Sequence, residues 1–455
     1  MELKDFLFTP ITLLAIYILA YLLRNRVTDQ LTYRYFIPGL TVKLTGALAL
    51  GLIYQFYYQG GDTFNYFDQS RVIHDAIMKD PLNGLRLLLA TGKYEASTFN
   101  YASQIYWYRS PSEYFIIKLA AVFGLFNDHC YSSIAILFGT FCFSGVWALY
   151  HSFKRIAPQQ HLLLALAILF VPSVFFWGSG LMKDTITLGA LGWMFYGFHR
   201  GLIEKRLSIL TILTIAGAFY IIFQVKIYIL LSFLPPAIYW VFLENSKHFN
   251  LKLLRFIIRP LMVILGVFLA YQAAINVTRG DIKYDISNIA ERTKINAEYI
   301  YRISLLQEGS AYYLGELDGS IVSMLKIAPK AINVTLFRPY LWEIANPLML
   351  LSALESLVFT LLFIGLLIKP GLWQCLWLTI QQPVIQFCMV FTIILAFAVG
   401  LNSYNFGTLV RYKIQLLPFF LSGMVLLKHF YSLSTTHSNT TRDEPQNVRE
   451  IYEIR

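Results

Sequence analysis

The chain alternates long apolar runs with short polar punctuation. Runs of this kind predict membrane-crossing helices over 7–23, 38–57, 131–150, 160–178, 185–199, 207–223, 227–243, 256–274, 346–368, 382–400 and 412–430. Each approaches the roughly 20 residues that carry a helix across a bilayer. The apolar positions are continuous rather than alternating, which excludes a membrane β-barrel. The fold class read from the pattern is an all-α polytopic membrane protein with about eleven transmembrane helices and extracytoplasmic interfacial helices.

Basic residues orient this arrangement. Arg24, Arg26 and Arg34 follow the first run, and Lys154 and Arg155, then Arg200, Lys205 and Arg206, then Lys247, Lys252 and Arg255 follow later ones. Placing them in the cytoplasm puts the N-terminus outside and the polar tail 432–455 inside. The stretch 113–127 contains Lys118 and is short, so it reads as an interfacial or partly buried helix. If it crossed instead, the orientation of everything after it would flip. Loop 58–130 is then extracytoplasmic, with Tyr94, Phe99, Tyr101, Tyr106, Trp107 and Tyr108 suited to the headgroup level. Loop 275–345 also lies outside and is expected to fold, with a helix on the membrane over 285–302. No repeat is present, and residues 1–431 read as one membrane domain. The tail reads as loose.

Composition agrees with the pattern. The chain is 57% hydrophobic and 14% charged, against about 25% charged in soluble domains. The net charge of +11 belongs to cytoplasmic loops and gives no reason to invoke nucleic acid. Cys130, Cys142, Cys375 and Cys388 lie in or beside apolar runs and imply neither disulfides nor a metal site. The first residues run straight into an apolar stretch, as a first span does rather than a cleaved signal. Asn276-Val277-Thr278 and Asn333-Val334-Thr335 are glycosylation triplets on the external side.

Candidate chemistry collects on that same external face. Gly60-Gly61-Asp62 lets the backbone turn tightly as it leaves the second run, and Asp68 follows six residues later. Asp62 is either a carboxylate that meets a substrate or a turn cap. Lys183-Asp184 stands between two apolar runs, and Asp184 is a helix cap or a second acid. Lys226 interrupts apolar sequence as a snorkelling anchor or as an anion ligand. Phe337-Arg338-Pro339-Tyr340-Leu341-Trp342-Glu343 ends the long loop, and Arg411 and Lys413 stand at the mouth of the last run. Arginine in an aromatic setting is a belt or a phosphate ligand. Several cations at the bilayer surface fit phosphate headgroups, including a lipid-linked phosphosugar.

In layout the chain resembles the GT-C superfamily of integral-membrane glycosyltransferases, which use polyprenyl-phosphate-linked sugars. Gly61-Asp62-Thr63-Phe64-Asn65-Tyr66 is similar to that family's acidic motif after a span. The proline-led helix from Pro111, the run 131–150 and the closing Lys154-Arg155 are similar to the family's interfacial helix and the basic-ended span after it. Asp184 matches a second acid at the next external turn. The likeness covers roughly 38–200 and departs in the extra span before the acidic loop. It implies a sugar transferred from a lipid-linked donor to a glycan, lipid or protein acceptor at the outer face of a bacterial cytoplasmic membrane. Asp62 would be the base, and Asp184 would orient the acceptor or a lysine. Lys183, Lys226, Arg338 and Arg411 would neutralise the departing phosphate, with Asp68 and Glu343 as further substrate contacts. No cofactor is required, and a divalent metal between carboxylates is compatible with it. An O-antigen-type polymerase would rest instead on Arg279, Arg292, Arg302 and Arg338. A transporter of lipid-linked glycans would call for mid-span charges and broken helices.

Overall fold

The computed structural model describes residues 3–246, 289–306 and 310–443. Their regular structure is helical throughout, with no β-strand among the described residues. Among the described residues six helices are long and apolar enough to cross a membrane, and a seventh is counted if a bent pair is one span. The chain is therefore an integral membrane protein by its helices, with six or seven such spans among the described residues against the eleven apolar runs of the sequence.

Several causes lie behind the difference, one of them that the runs 207–223 and 227–243 fall within a single element counted once. The run 256–274 lies outside the described residues. The run 160–178 is broken, because α8 (His161–Leu169) stops and α9 (Pro172–Trp177) restarts with proline in its first turn. The run 185–199 forms α10 (Lys183–Phe198), which a π-helical turn (His199–Ile203) continues and which is not among the counted spans. The last run is also bent. Helix α17 (Phe406–Tyr412) and its short extension to Gln415 meet α18 (Leu417–Asp443) at 59°.

Helix α7 (Tyr131–Ile156) is the central post, buried on nearly all sides. It crosses α10 where glycines face each other. A Cβ on Gly145 would stand 1.8 Å from the Gly189 carbonyl, and one on Gly192 2.1 Å from the Gly145 carbonyl. Small residues let the two backbones touch, as membrane helices require when no hydrophobic force separates them from lipid. Helices α1 (Asp5–Val27) and α2 (Tyr33–Phe56) flank this post. Most of α1 faces outward, with three buried residues.

The element α11 (Ile209–Ser246) doubles back. Lys226 breaks it with φ −148° and ψ 75°. Ile215 packs on Gly197, and the Trp240 ring lies 5.7 Å from Phe198 and 5.9 Å from His199. On one straight helix, residues 215 and 240 would be about 37 Å apart. Both can meet one end of α10 only because the chain reverses at Lys226. The runs 207–223 and 227–243 are thus two arms of a hairpin.

Residues 58–130 form a helical cap with its own core. It holds α3 (Asp62–Lys79), α4 (Pro81–Leu89), α5 (Phe99–Ala102) and α6 (Pro111–Gly124). Tyr66, Ile73, Leu87, Ile105 and Ile117 meet Ile134 and Phe138 of α7 there. The stretch expected at the interface is α6, which at 14 residues is too short to cross.

The region 275–345 is less of a loop than expected. Helix α12 (Ile289–Leu306) matches the amphipathic stretch, and α13 (Ile321–Phe337) docks along α16 (Pro383–Ser403). Thr335 is fully buried and donates to the Ala396 carbonyl at 2.8 Å. Asn333 Nδ2 donates to Tyr340 Oη at 3.1 Å. Asn333 is exposed on this helix while Val334 and Thr335 are buried, and Asn276 lies outside the described residues. Helices α14 (Pro347–Leu366) and α15 (Leu372–Gln381) come between α13 and α16 in the chain. The tail read as loose continues α18 as far as Asp443.

Candidate functional site: a carboxylate–cation cluster at helix breaks

Gly60 and Gly61 take φ of 140° and 120°, which only glycine adopts without strain. They turn the chain off α2, so that Asp62 opens α3. A Cβ on Gly61 would sit 2.9 Å from the Tyr54 ring, so the turn is also fitted against α2. An acid in the first turn complements the helix dipole. The Asp62 side chain keeps 40% of its surface exposed, and its Oδ2 accepts from Arg411 Nη1 at 3.0 Å. The same nitrogen lies 3.4 Å from Tyr54 Oη.

Arg411 closes the short helix α17, which Asn405 caps by accepting from the Gly407 amide at 2.8 Å. Its Nε stands 3.4 Å from Asp184 Oδ2. Asp184 is nearly sealed off, with 2% of its side chain exposed. Its Oδ1 accepts from Lys226 Nζ and, at 3.0 Å, from Gln415 Nε2. The Lys226 ammonium also lies 3.9 Å from the Tyr412 ring centre. Two acids and two bases therefore form one compensated chain, from exposed Asp62 inward to buried Lys226. Pairing of this kind offsets the cost of burying ionised groups.

Each group comes from a place where a helix starts or breaks: the head of α3, the head of α10, the turn of α11 and the bend between α17 and α18. This is why the sequence scatters them over 350 residues while the fold gathers them.

The other expected residues lie around this cluster with partners of their own. Lys183 donates to Glu113 Oε1 at 2.7 Å rather than to Asp184 beside it. Glu113 opens α6 and also accepts from Ser110 and, at 2.6 Å, from Ser112. Arg338 pairs with Glu343, whose Oε2 accepts from the Tyr340 amide at 2.8 Å. Burial pushes the Glu343 carboxyl up, but the bonds from Arg338 and Tyr340 outweigh it and hold the group below its ordinary range. Lys413 ties that corner to the bend, donating to the Arg338 carbonyl at 3.3 Å and to Ser356 Oγ at 3.1 Å. Asp68 is exposed on α3, about 9 Å further along and on another face.

Sequence reading missed Glu113, Gln415, Tyr54 and Tyr412. It also missed two buried ions that hold α9. Glu355 of α14 accepts from the Ser173 amide at 2.8 Å and the Ser173 hydroxyl at 2.6 Å, at the start of α9. Lys43 of α2 donates to the carbonyls of Val174 at 2.8 Å and Gly178 at 2.9 Å, at its end. Negative charge at the N-terminus and positive at the C-terminus match the helix dipole. The signal was an ionisable residue inside an apolar run.

A divalent metal does not fit between the two acids. Arg411 stands between Asp62 and Asp184 and would have to be displaced. Among the described residues no three His, Cys, Asp or Glu side chains converge. Comparison with known proteins adds no identity: no family model, no curated protein and no solved structure matches the chain.

Proposed function

We propose that the protein is a membrane glycosyltransferase that moves a sugar from a polyprenyl-phosphate donor to a hydroxyl acceptor on a glycan, lipid or protein. The observation that carries this reading is Asp62, a half-exposed carboxylate at a helix head, in contact with an arginine that reaches a buried acid–lysine pair. Asp62 takes the proton of the acceptor hydroxyl. The acceptor oxygen bonds to the anomeric carbon, the bond from that carbon to the phosphate oxygen breaks, and the lipid phosphate leaves with the electron pair. Arg411 neutralises the charge that develops on the phosphate. Asp184 holds Arg411 and Lys226 in place. Lys183 and Arg338 are flanking cations, each held by a carboxylate of its own. The reaction face is the extracytoplasmic side of a bacterial cytoplasmic membrane.

The test is sugar transfer by protein purified into lipid, across a panel of polyprenyl-phosphate sugars, with Asp62→Asn compared at matched folding. Loss of one general base costs about 10²–10⁴-fold in turnover. Unchanged turnover in Asp62→Asn would remove the base assignment. A second reading, transport of a lipid-linked glycan, is favoured by one feature. The helix breaks at Lys226 and at the α17–α18 bend converge on the charged cluster, as they do at transporter binding sites. Movement of labelled lipid-linked glycan between leaflets without new glycosidic bonds would select that reading.

A further inference from the structure

The end of α10 opposite Asp184 carries a second polar feature, which plays no part in the proposed reaction. The 16 residues of α10 separate the two by about 24 Å, most of a hydrocarbon core. A shallow cavity of about 270 Å³ lies there, lined by Arg155, Glu204 and Arg206. Arg155 ends α7, and its Nη1 meets Glu204 Oε1 at 3.3 Å and Oε2 at 3.1 Å. His199 Nδ1 stands 3.5 Å from the same carboxylate. Glu204 thus fixes one edge of the Arg155 guanidinium and is itself occupied. The turn after Glu204 is tight: Lys205 takes φ 55°, and the Arg206 amide donates to the Arg200 carbonyl at 3.0 Å. It presents Arg206, exposed, on the other wall.

The surface beside Arg206 changes character at once. Leu207, Ile209 and Leu210 are 59%, 73% and 72% exposed at the start of α11. Two guanidiniums against the one Glu204 carboxylate leave the cavity with a net positive charge, and an arginine fork suits phosphate oxygens. An apolar stripe leading away from the cavity matches an acyl chain. A free phosphate would use the first and leave the second bare. We infer that this cavity binds the phosphodiester headgroup of an anionic glycerophospholipid, with its chains along the start of α11. Anionic lipid is the form enriched on the cytoplasmic leaflet, where the basic loops are expected.

The test uses the full chain in neutral detergent and native mass spectrometry. The probes are palmitoyl-oleoyl phosphatidylglycerol, phosphatidylcholine with the same chains, and millimolar inorganic phosphate. Phosphatidylglycerol is expected to bind in preference to phosphatidylcholine and to resist displacement by phosphate. Arg206→Gln should weaken it about fivefold, the effect of one surface cation near a membrane. Arg86→Gln, an exposed arginine on α4, should leave it unchanged. Equal binding of the two lipids, displacement by phosphate, or insensitivity to Arg206→Gln would overturn the inference. Arg206 is exposed, so its variant tests binding even if Arg155→Gln fails to fold. None of these readouts depends on glycosyl transfer.

Discussion

Asp184 shows how much one buried side chain organises. Replacing it by Asn leaves Lys226 and Arg411 without their inner counter-charge. Stability should fall by about 3–5 kcal/mol, the cost of breaking one partner from a buried pair. The double change Asp184→Asn with Lys226→Met should recover part of that loss in denaturant unfolding, because it removes the stranded ammonium. His129 gives a pH signature in the cap. Its Nε2 is 2.8 Å from Ser70 Oγ, and its ring lies 4.6 Å from Phe67 and 5.0 Å from His74. Burial first, then the charges of His74, Arg71 and Lys4, lower its pKa from 6.5 to about 3. The unfolded chain binds this proton more tightly, so the contribution is complete above pH 6.5 and declines as pH falls toward 3. At pH 5 the loss approaches about 2 kcal/mol. His129→Gln should flatten the difference between melting curves at pH 7.5 and pH 5. Residue identity was partly legible from sequence: Asp62, Asp184, Lys226 and Arg411 stood out as ions beside oil. Their pairing was not, because Lys183 joins Glu113 from 70 positions away, a relation no local pattern contains.

Elements were legible where local chemistry decides them. Proline opens α6, α9, α14 and α16, and glycine marks the turn before α3. Hydrophobicity alone could not tell one long helix from two short ones, so 160–178 read as continuous although it breaks before Pro172. It also could not show α13 as part of the bundle, because the apolar positions of that helix look the same whether they face lipid or α16. The α7–α10 crossing offers the sharpest test at this scale. Gly145→Ala places a methyl where a backbone carbonyl already sits, and the helices must separate. The expected cost is about 1–3 kcal/mol, seen as a lower melting temperature. Gly217→Ala has open space around it and should not destabilise.

At the scale of the molecule, the reversal at Lys226 sets which ends share a side. Cysteines placed at Arg206 and Asn245 should react with an impermeant maleimide from the same side. One at Gln59, beside the Asp62 turn, should react from the other. Labelling of Arg206 and Asn245 from opposite sides would contradict the hairpin. The sequence pattern contained this reversal in its two apolar runs around one lysine, while the secondary structure alone would hide it inside a single element.

The two ions that hold α9 also carry a history of assembly. Lys43 sits in the middle of α2, and its acceptor at Gly178 lies 135 residues later in the chain. At about 5–20 residues per second, synthesis takes roughly 7–27 s to produce that acceptor. During most of this interval the Lys43 amine has neither of its final acceptors, the Val174 and Gly178 carbonyls. Glu355 arrives later still, 182 residues after Ser173, and only then is α9 fastened at both ends. The turn that carries Asp184 is likewise completed only when Arg411 and Gln415, more than 220 residues later, are in place.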